Sequence, residues 1–372
     1  MISVKKDDRL NSAPNKRVFM RIIFTFLMFS TLIMGCAPVE TPPPAPNISQ
    51  ELTLYNWEYY MPQSVLDAFT AEYGVEVTYL TYGSMEEAVA QLRAGQDYDV
   101  VVLENNNITP LAADGLLAEI DYQNVPNFKN ISPDFRDLQF DPDNKHSVPF
   151  DYGTTGLVVR SDLVDAPVTR WADLWDPRFA GRIAARPLAY ELIGVSLKSL
   201  GYPLNSEDPQ ELEAALQHLL ELKPSLTLVD DPTSDAVQIL LSGEAVIMVG
   251  WGNDALQARQ ENDAVTYVLP EEGTLLWGQS FVIPANSTRK ETAELFLDYI
   301  LKPEISAQIT NQNRYATANQ AAYSLIEPGI FNDPIVFPPA EMIRKSDWYL
   351  PLSPAGEAYY ASIWERFLAE KP

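Results

Sequence analysis

The stretch "LTLYNWEYYMPQSVLDAFTAEYGVEVTYLTYGSMEEAVAQLRAGQDYDVVVL", residues 52–103, decides the fold. In it, short runs typical of strands alternate with runs typical of helices. The predicted strands are Leu52–Tyr55, Val75–Leu80 and Tyr98–Leu103. The predicted helices are Pro62–Tyr73, which Gly74 ends, and Ser84–Gly95, which opens on a capping box. The order β-α-β-α-β predicts an α/β fold with a doubly wound sheet.

Two polar or aromatic loops follow strands of this unit directly. "NWEYYMP", residues 56–62, comes after the first strand, and "ENNN", residues 104–107, comes after the third. In open α/β sheets, ligands bind beyond the carboxyl ends of the strands. We therefore expect both loops to line a ligand site.

The middle of the chain repeats the alternation of strands and helices. Two long extended stretches, near residues 147–159 and 265–285, join the two predicted α/β units. A chain that leaves one lobe and returns to it forms a hinge with a cleft between the lobes, where small-molecule sites commonly form. The sequence therefore predicts a two-lobed binding protein.

The N-terminus has the pattern of an export signal. Six Lys and Arg residues precede the apolar run Ile22–Met34, which is too short to span a bilayer comfortably. The run ends in "LIMGC", residues 32–36, which resembles the lipobox of bacterial lipoproteins, and Cys36 is the only cysteine. We predict a signal peptide over 1–35, a lipidated Cys36 and a proline-rich linker over 36–50; the alternative is an ordinary signal peptide with a chance Gly-Cys pair.

Composition excludes several function classes. The 372-residue chain has a formal net charge of −25, which argues against nucleic-acid binding and against electrostatic docking on anionic lipid. The same charge suits cationic ligands or simply a solvated acidic surface. Of the two histidines, neither His146 nor His218 lies in a nucleophile or metal motif, so we expect no enzyme and no cofactor. Ferric-ion binding through Tyr59-Tyr60 and Tyr359-Tyr360 is a further alternative.

Six segments together carry a family resemblance. They are residues 52–92 of the opening stretch, "YDVVVL" (98–103), "VPFDYGTTGLVV" (148–159), "WADLWDPRFAGRI" (171–183), "VGWGNDALQAR" (249–259) and "LPEEGTLLWGQSFVIPANS" (269–287). In this order and spacing, they resemble the spermidine/putrescine-binding proteins of bacterial ABC transporters. The resemblance implies a class II periplasmic-binding-protein fold, with two lobes, two crossover strands and a ligand cleft between the lobes.

The same resemblance implies the protein's organisation and partners. It implies a lobe 1 built from 51–152 and 276–335, a lobe 2 from 153–275, and a C-terminal segment, 336–372, packed across both. We expect a monomer that delivers a polyamine, or a related small cationic amine, to an ABC permease and ATPase on the extracytoplasmic side, in the periplasm or on the outer face of the cell membrane. The alternatives are a transport role with another small organic solute, and a sensory lipoprotein.

The aromatic ligand positions of the family are present. The resemblance places Trp57, Tyr60, Trp251 and Trp277 in the cleft, although large aromatic residues also dominate protein cores. Rings and carboxylates together complement a diamine, because ammonium groups bind carboxylates and aromatic faces.

At the family's charged ligand positions, this chain largely has other residues. Glu191 matches a family acid, but Leu188 and Gln279 replace two others, and Tyr59 takes the place of the acid in the first loop, with Glu58 beside it. Further predicted site residues that depart from the family pattern are Glu104, Asn106 and Tyr349. Asp151 and Asp254 are additional acids that could restore charge.

Overall fold

The computed structural model describes residues 48–229 and 234–370. In it, the first α/β unit forms where the sequence pattern predicts it. The predicted signal peptide, Cys36 and most of the linker lie outside the described residues. Within those residues, no helix combines the length and the apolar character needed to cross a membrane.

The described strands are β1 (Glu51–Trp57), β2 (Glu76–Tyr82), β3 (Val100–Glu104), β4 (Ser147–Arg160), β5 (Ile183–Ala185), β6 (Leu226–Leu228), β7 (Ile247–Trp251), β8 (Val265–Val268), β9 (Leu275–Val282), β10 (Ala316–Thr317) and β11 (Asp347–Trp348). The described α-helices are α1 (Gln63–Tyr73), α2 (Met85–Arg93), α3 (Ile108–Ala113), α4 (Ala189–Ser199), α5 (Pro209–Leu222), α6 (Ser234–Ser242), α7 (Gly252–Glu261), α8 (Lys290–Ile300), α9 (Pro303–Asn313), α10 (Pro328–Phe331), α11 (Ala340–Lys345) and α12 (Pro354–Ala369). Short 3-10 helices lie at Asn105–Asn107, Pro126–Asn130, Pro133–Phe135, Pro142–Asn144, Trp171–Trp175, Pro177–Phe179, Lys223–Ser225 and Gln320–Leu325.

The first two helices begin and end on the signals that the sequence carries. Gly74 closes α1 in the left-handed region, with φ of 70°, where a side chain would be strained. Ser84 caps α2, since its hydroxyl accepts a hydrogen bond from the Glu87 N–H. The Glu87 carboxylate bonds to the backbone of Gly83 rather than Ser84, so the predicted capping box is shifted by one residue.

One continuous sheet carries both predicted units. Its order is β2-β1-β3-β9-β4-β7-β5-β6, with β8 and β10 paired to β4 and β11 paired to β9. β1, β2 and β3 are parallel to one another, and so are β5, β6 and β7. Between these two parallel groups, β4 and β9 run antiparallel to each other, from Ser147 opposite Val282 to Thr155 opposite Leu275. β4 is the first of the two long extended stretches that the sequence predicts. The second, near residues 265–285, is not one continuous strand, because residues 269–274 separate β8 from β9.

Helices pack on the sheet, and the apolar side chains between helices and sheet form the core. Phe69 of α1, Phe281 of β9 and Phe296 of α8 are fully buried together on one face of the first parallel group. Trp171 is fully buried in a separate cluster around the second group.

The C-terminal segment has contacts with both β9 and the helices of the second group. β11 pairs with β9, while α12 packs on α5, where Arg366 forms an ion pair with Glu213 at 2.8 Å. The lobe boundaries drawn from the sequence stay predictions.

Replacing Phe296 by Ala should lower the free energy of unfolding by about 3–5 kcal/mol, because the change opens a cavity among buried aromatic rings. Urea denaturation followed by circular dichroism would measure this change. The matched control is Leu80→Ala, at a side chain that is 42% exposed, where a much smaller loss is expected. Equal losses in the two variants would contradict this account of the core.

Candidate functional site

Aromatic rings line up beyond the carboxyl end of β1. Trp57 ends β1, and its ring centroid is 6.3 Å from that of Tyr60 in the following loop. Tyr60 stacks on Tyr315 at 4.8 Å, and Tyr315 meets Trp277 edge to face at 5.6 Å. The structure thus brings three predicted site residues together through Tyr315, which the sequence reasoning missed. The position of Tyr315, just after the end of α9, carries no signal of its own.

Trp277 needs a glycine opposite it. Gly153 on β4 is its partner across the β4–β9 pair, and a Cβ at Gly153 would lie 2.2 Å from the Trp277 ring. The absence of a side chain there lets the indole lie across the strand. Gly153, the first glycine within "DYGTTG" (151–156), therefore positions the Trp277 ring by leaving space for it.

Glu191 is held by hydrogen bonds from two other elements. It lies in the first turn of α4, is 4% exposed, and its Oε1 accepts from Thr155 Oγ1 at 2.7 Å and from Trp251 Nε1 at 2.9 Å. Burial raises the pKa of Glu191, although these two hydrogen bonds oppose the shift. Tyr349 is close enough to feel the Glu191 charge, and burial raises its own pKa well above the usual value. Leu188, which precedes α4, is 40% exposed.

Asp254 is already neutralised by a residue that sequence reasoning missed. Arg186 donates two hydrogen bonds to its carboxylate, at 2.9 and 2.6 Å, and both side chains are buried. The Arg186 guanidinium also lies 4.2 Å from the centroid of the Trp251 ring. Asp254 therefore cannot restore a free negative charge, because an internal cation occupies it.

Glu104 ends β3 and is a further carboxylate near the rings. Burial raises its pKa to about 7, and the charges of Glu86 and Glu191 add to the shift. Opposite it on β9 lies Gln279, which is 4% exposed and beside the Tyr60 hydroxyl. Asp151 lies opposite Gln279 on β4, and burial raises its pKa well above the usual value. Carboxyl groups of three elements, β3, β4 and α4, thus border the aromatic rings.

Unpaired polar atoms concentrate on these residues. Within residues 48–229 and 234–370, nine buried side-chain nitrogen and oxygen atoms lack a hydrogen-bond partner. Six of them are Trp57 Nε1, both carboxyl oxygens of Asp151, Trp277 Nε1, Gln279 Oε1 and the Tyr349 hydroxyl. Buried polar groups are nearly always paired, so this concentration marks a place that can receive the polar groups of a ligand.

Some predicted residues do not face this arrangement. Glu58 is exposed, and Tyr59 is 82% exposed with φ of 65°. Asn106 is partly buried, and its amide oxygen accepts a hydrogen bond from Asn107.

Tyr360 and both histidines have other partners in the structure. Tyr360 is buried, and its hydroxyl donates to backbone carbonyls of Leu204 and Ser206. His146 bonds to the Ala118 carbonyl, and His218 stacks on Trp175. Among the described residues, no group of three or more histidine, cysteine or acidic side chains could hold a metal ion.

Comparisons with known proteins agree with this architecture. A family model described as bacterial extracellular solute-binding protein matches residues 64–338. The spermidine/putrescine-binding periplasmic protein of Escherichia coli is 35% identical over 313 residues, which cover 83% of this chain and 89% of that protein. The putrescine/agmatine-binding protein of Pseudomonas aeruginosa is 32% identical over 304 residues, covering 76% and 82% of the two chains.

A solved structure extends the similarity to three dimensions. The substrate-binding protein of a spermidine/putrescine ABC transporter from Streptococcus pneumoniae superposes with a TM-score of 0.79 at 31% identity. The match covers 86% of this chain and 99% of that one. The fold is therefore the two-lobed class II periplasmic-binding-protein fold, with β4 and β9 as its crossover strands, as the sequence predicts.

The raised pKa of Glu104 should make the ligand-free protein less stable at pH 8 than at pH 6. Between the ordinary carboxyl pKa and about 7, the folded protein binds more protons at Glu104 than the unfolded chain does, so the free energy of unfolding falls as the pH rises. Glu104→Gln should remove about 1 kcal/mol of this fall, measured by urea denaturation at both pH values.

Glu119→Gln is the control for this experiment. Glu119 is exposed, and its hydrogen bond to Lys145 lowers its pKa, so it is ionised at both pH values. The difference between pH 6 and pH 8 should therefore stay as in the unmodified protein. An unchanged difference in Glu104→Gln would contradict the raised pKa.

Proposed function

Since this chain belongs to the family of bacterial extracellular solute-binding proteins, we propose that it binds a polyamine, or a related small cationic amine, for an ABC importer. The ligand would be putrescine, spermidine or a compound of the same chemistry, delivered to the permease and its ATPase. The relatives and structural neighbours are solute-binding proteins of transporters, and the chain is not an enzyme.

The observation that carries the proposal is a strip of rings bordered by carboxyl groups. Trp57, Tyr60, Tyr315 and Trp277 form successive ring contacts, and Glu104 is close enough to Glu191 for the two charges to interact. Methylene groups and cations bind well to aromatic faces, and ammonium groups form strong hydrogen bonds with carboxylates. A short diamine has both parts in the matching order.

A cationic ligand also resolves the electrostatics of the site. Burial raises the pKa of both Glu104 and Glu191, and the charges of Glu86 and Glu191 add to the shift of Glu104. An ammonium ion between them would favour ionisation of both. A neutral solute would supply no such compensation, which is why we favour an amine over the neutral-solute alternative.

Capture would proceed by closure of the two lobes. We place the lobes at 51–152 with 276–335, and at 153–275, joined by β4 and β9. Rigid-body rotation about such strands brings the two walls of a cleft onto the ligand. Trp57, Tyr60 and Glu104 would then belong to one wall, and Glu191 and Trp251 to the other.

The protein would work as a lipid-anchored monomer on the extracytoplasmic side. The support for this is the pattern "LIMGC" at residues 32–36, followed by five prolines before the folded part. A lipidated Cys36 would hold an otherwise water-soluble protein at a membrane face, and the proline-rich segment would act as a spacer.

Calorimetric titration with putrescine and spermidine should show binding, whereas 1,4-butanediol, a neutral molecule of the same length as putrescine, should not bind. Trp277→Ala should weaken amine binding at least tenfold, because it removes a ring of the aromatic strip. Trp175→Ala is the matched control, since Trp175 stacks on His218 and should not alter the affinity. Absence of binding to every amine tested would refute the proposed ligand class.

Replacing Cys36 by Ser should move the protein from the membrane fraction to the soluble fraction after expression in a bacterial host. Removal of the only thiol removes the acceptor for the lipid chain. Fractionation followed by immunoblotting measures the distribution, and Ser49→Ala in the linker is the control. A variant without Cys36 that stays in the membrane fraction would contradict the anchor.

A further inference from the structure

Three acceptor side chains lie side by side on three neighbouring strands. Glu104 of β3 is directly opposite Gln279 of β9, and Gln279 is directly opposite Asp151 of β4. Both strand pairs are antiparallel, and residues directly opposite each other in such pairs point to the same face with their Cβ atoms about 4.5–5.5 Å apart. We call Glu104, Gln279 and Asp151 the acceptor row.

Two members of the acceptor row, Asp151 and Gln279, carry acceptor atoms without a donor. Both carboxyl oxygens of Asp151 and the Oε1 atom of Gln279 are buried without a hydrogen-bond partner among the described residues. Asp151 is 5% exposed and Gln279 is 4% exposed. A buried acceptor without a donor is destabilising, and a ligand that brings a donor recovers this loss.

The surroundings of the row leave room for a small group. Asp151 borders a cavity of about 10 Å³, whose other polar lining includes Thr310, Asn313, Tyr315 and Thr317. That volume is close to the minimum that holds one water molecule, and an ammonium group is of similar size. Asp151, the member of the row that lines this cavity, therefore lies beside a space matched to a single small donor group.

The aromatic strip adjoins the row. The Tyr60 hydroxyl lies beside Gln279 and feels the charge of Asp151, and the charges of both Glu104 and Asp151 act on Tyr82. Tyr60 is also the ring that stacks on Tyr315 in the strip. A ligand chain lying on the rings would thus reach the row with its end.

We propose that the acceptor row is a subsite for one primary ammonium group, with Glu104, Gln279 and Asp151 each accepting one of its three N–H donors. The proposal rests on the proposed function and identifies the residues that hold one end of the amine. A primary ammonium has three donors and no acceptor, which matches three acceptor side chains. Asp151, which the aromatic strip alone would not single out, is the residue of the row with the most unpaired atoms.

Proton release on binding follows from the row. Burial raises the pKa of Asp151 well above its usual value and that of Glu104 to about 7, so burial disfavours the ionised form of both. The other titratable groups that face them are Glu86, Glu191, Tyr60, Tyr82, Tyr315 and Tyr349. An ammonium ion placed in the row favours the ionised carboxylates, so binding near pH 6.5 expels protons.

The test is calorimetry with putrescine at pH 6.5 in two buffers of different ionisation enthalpy, which measures affinity and the number of protons released. Asp151→Asn should weaken putrescine binding at least tenfold and reduce proton release. Without ligand, the Asp151→Asn variant should have a melting temperature no lower than that of the unmodified protein at pH 8, because the change removes a buried carboxyl that has no partner.

Asp141→Asn is the matched control. Asp141 is buried near the start of β4, but its carboxylate accepts hydrogen bonds from Ser147 and from the His146 backbone. Its replacement should leave both affinity and proton release unchanged, whatever it does to stability.

The outcomes separate the subsite from the proposed function. If the unmodified protein binds no amine, the proposed function fails. If it binds putrescine and Asp151→Asn binds with the same affinity and proton release, the subsite is overturned while the function stands. Equal weakening in Asp151→Asn and Asp141→Asn also overturns it. Potassium chloride or calcium chloride alone could raise the melting temperature as much as putrescine does. If it does so, and Asp151→Asn loses this effect, the row is an inorganic cation site instead.

Discussion

The antiparallel pairing of β4 with β9 is the constraint on which the rest of the structure depends. It joins two groups of parallel strands into one sheet, and its register sets which residues face one another at the candidate site. Gly153 lies under Trp277, and Asp151 lies beside Gln279, only because these strands pair in this register. A slip of one residue would turn the aromatic and acceptor side chains to the opposite face.

The acidic side chains around the site have three physically different environments. Asp254 is paired with the buried Arg186. Glu191 is stabilised by hydrogen bonds from Thr155 and Trp251, which partly offset burial. Glu104 and Asp151 have no such compensation, and burial moves their pKa values upward. Internal partners therefore decide which acids can respond to a cation from outside.

The sequence predicts the fold well because its signals are local. The alternation of strand and helix patterns, the cap at Ser84 and the stop at Gly74 each act within a few residues, and the structure confirms them. The aromatic site residues were reachable through their family pattern. The role of Arg186 beside Asp254 could not be predicted in this way, because the two residues are 68 positions apart and meet only through packing. The same holds for Tyr315, and for Asp151 as a neighbour of Gln279, since strand register cannot be read from either segment alone.

The position of Arg186 gives the site a direction. Its guanidinium covers one face of the Trp251 ring from within the protein, so only the other face can receive a ligand. Because Asp254 compensates the charge of Arg186, this cover adds no net repulsion for a cation. Trp251 is therefore a one-sided platform, which a ligand chain can meet from a single direction.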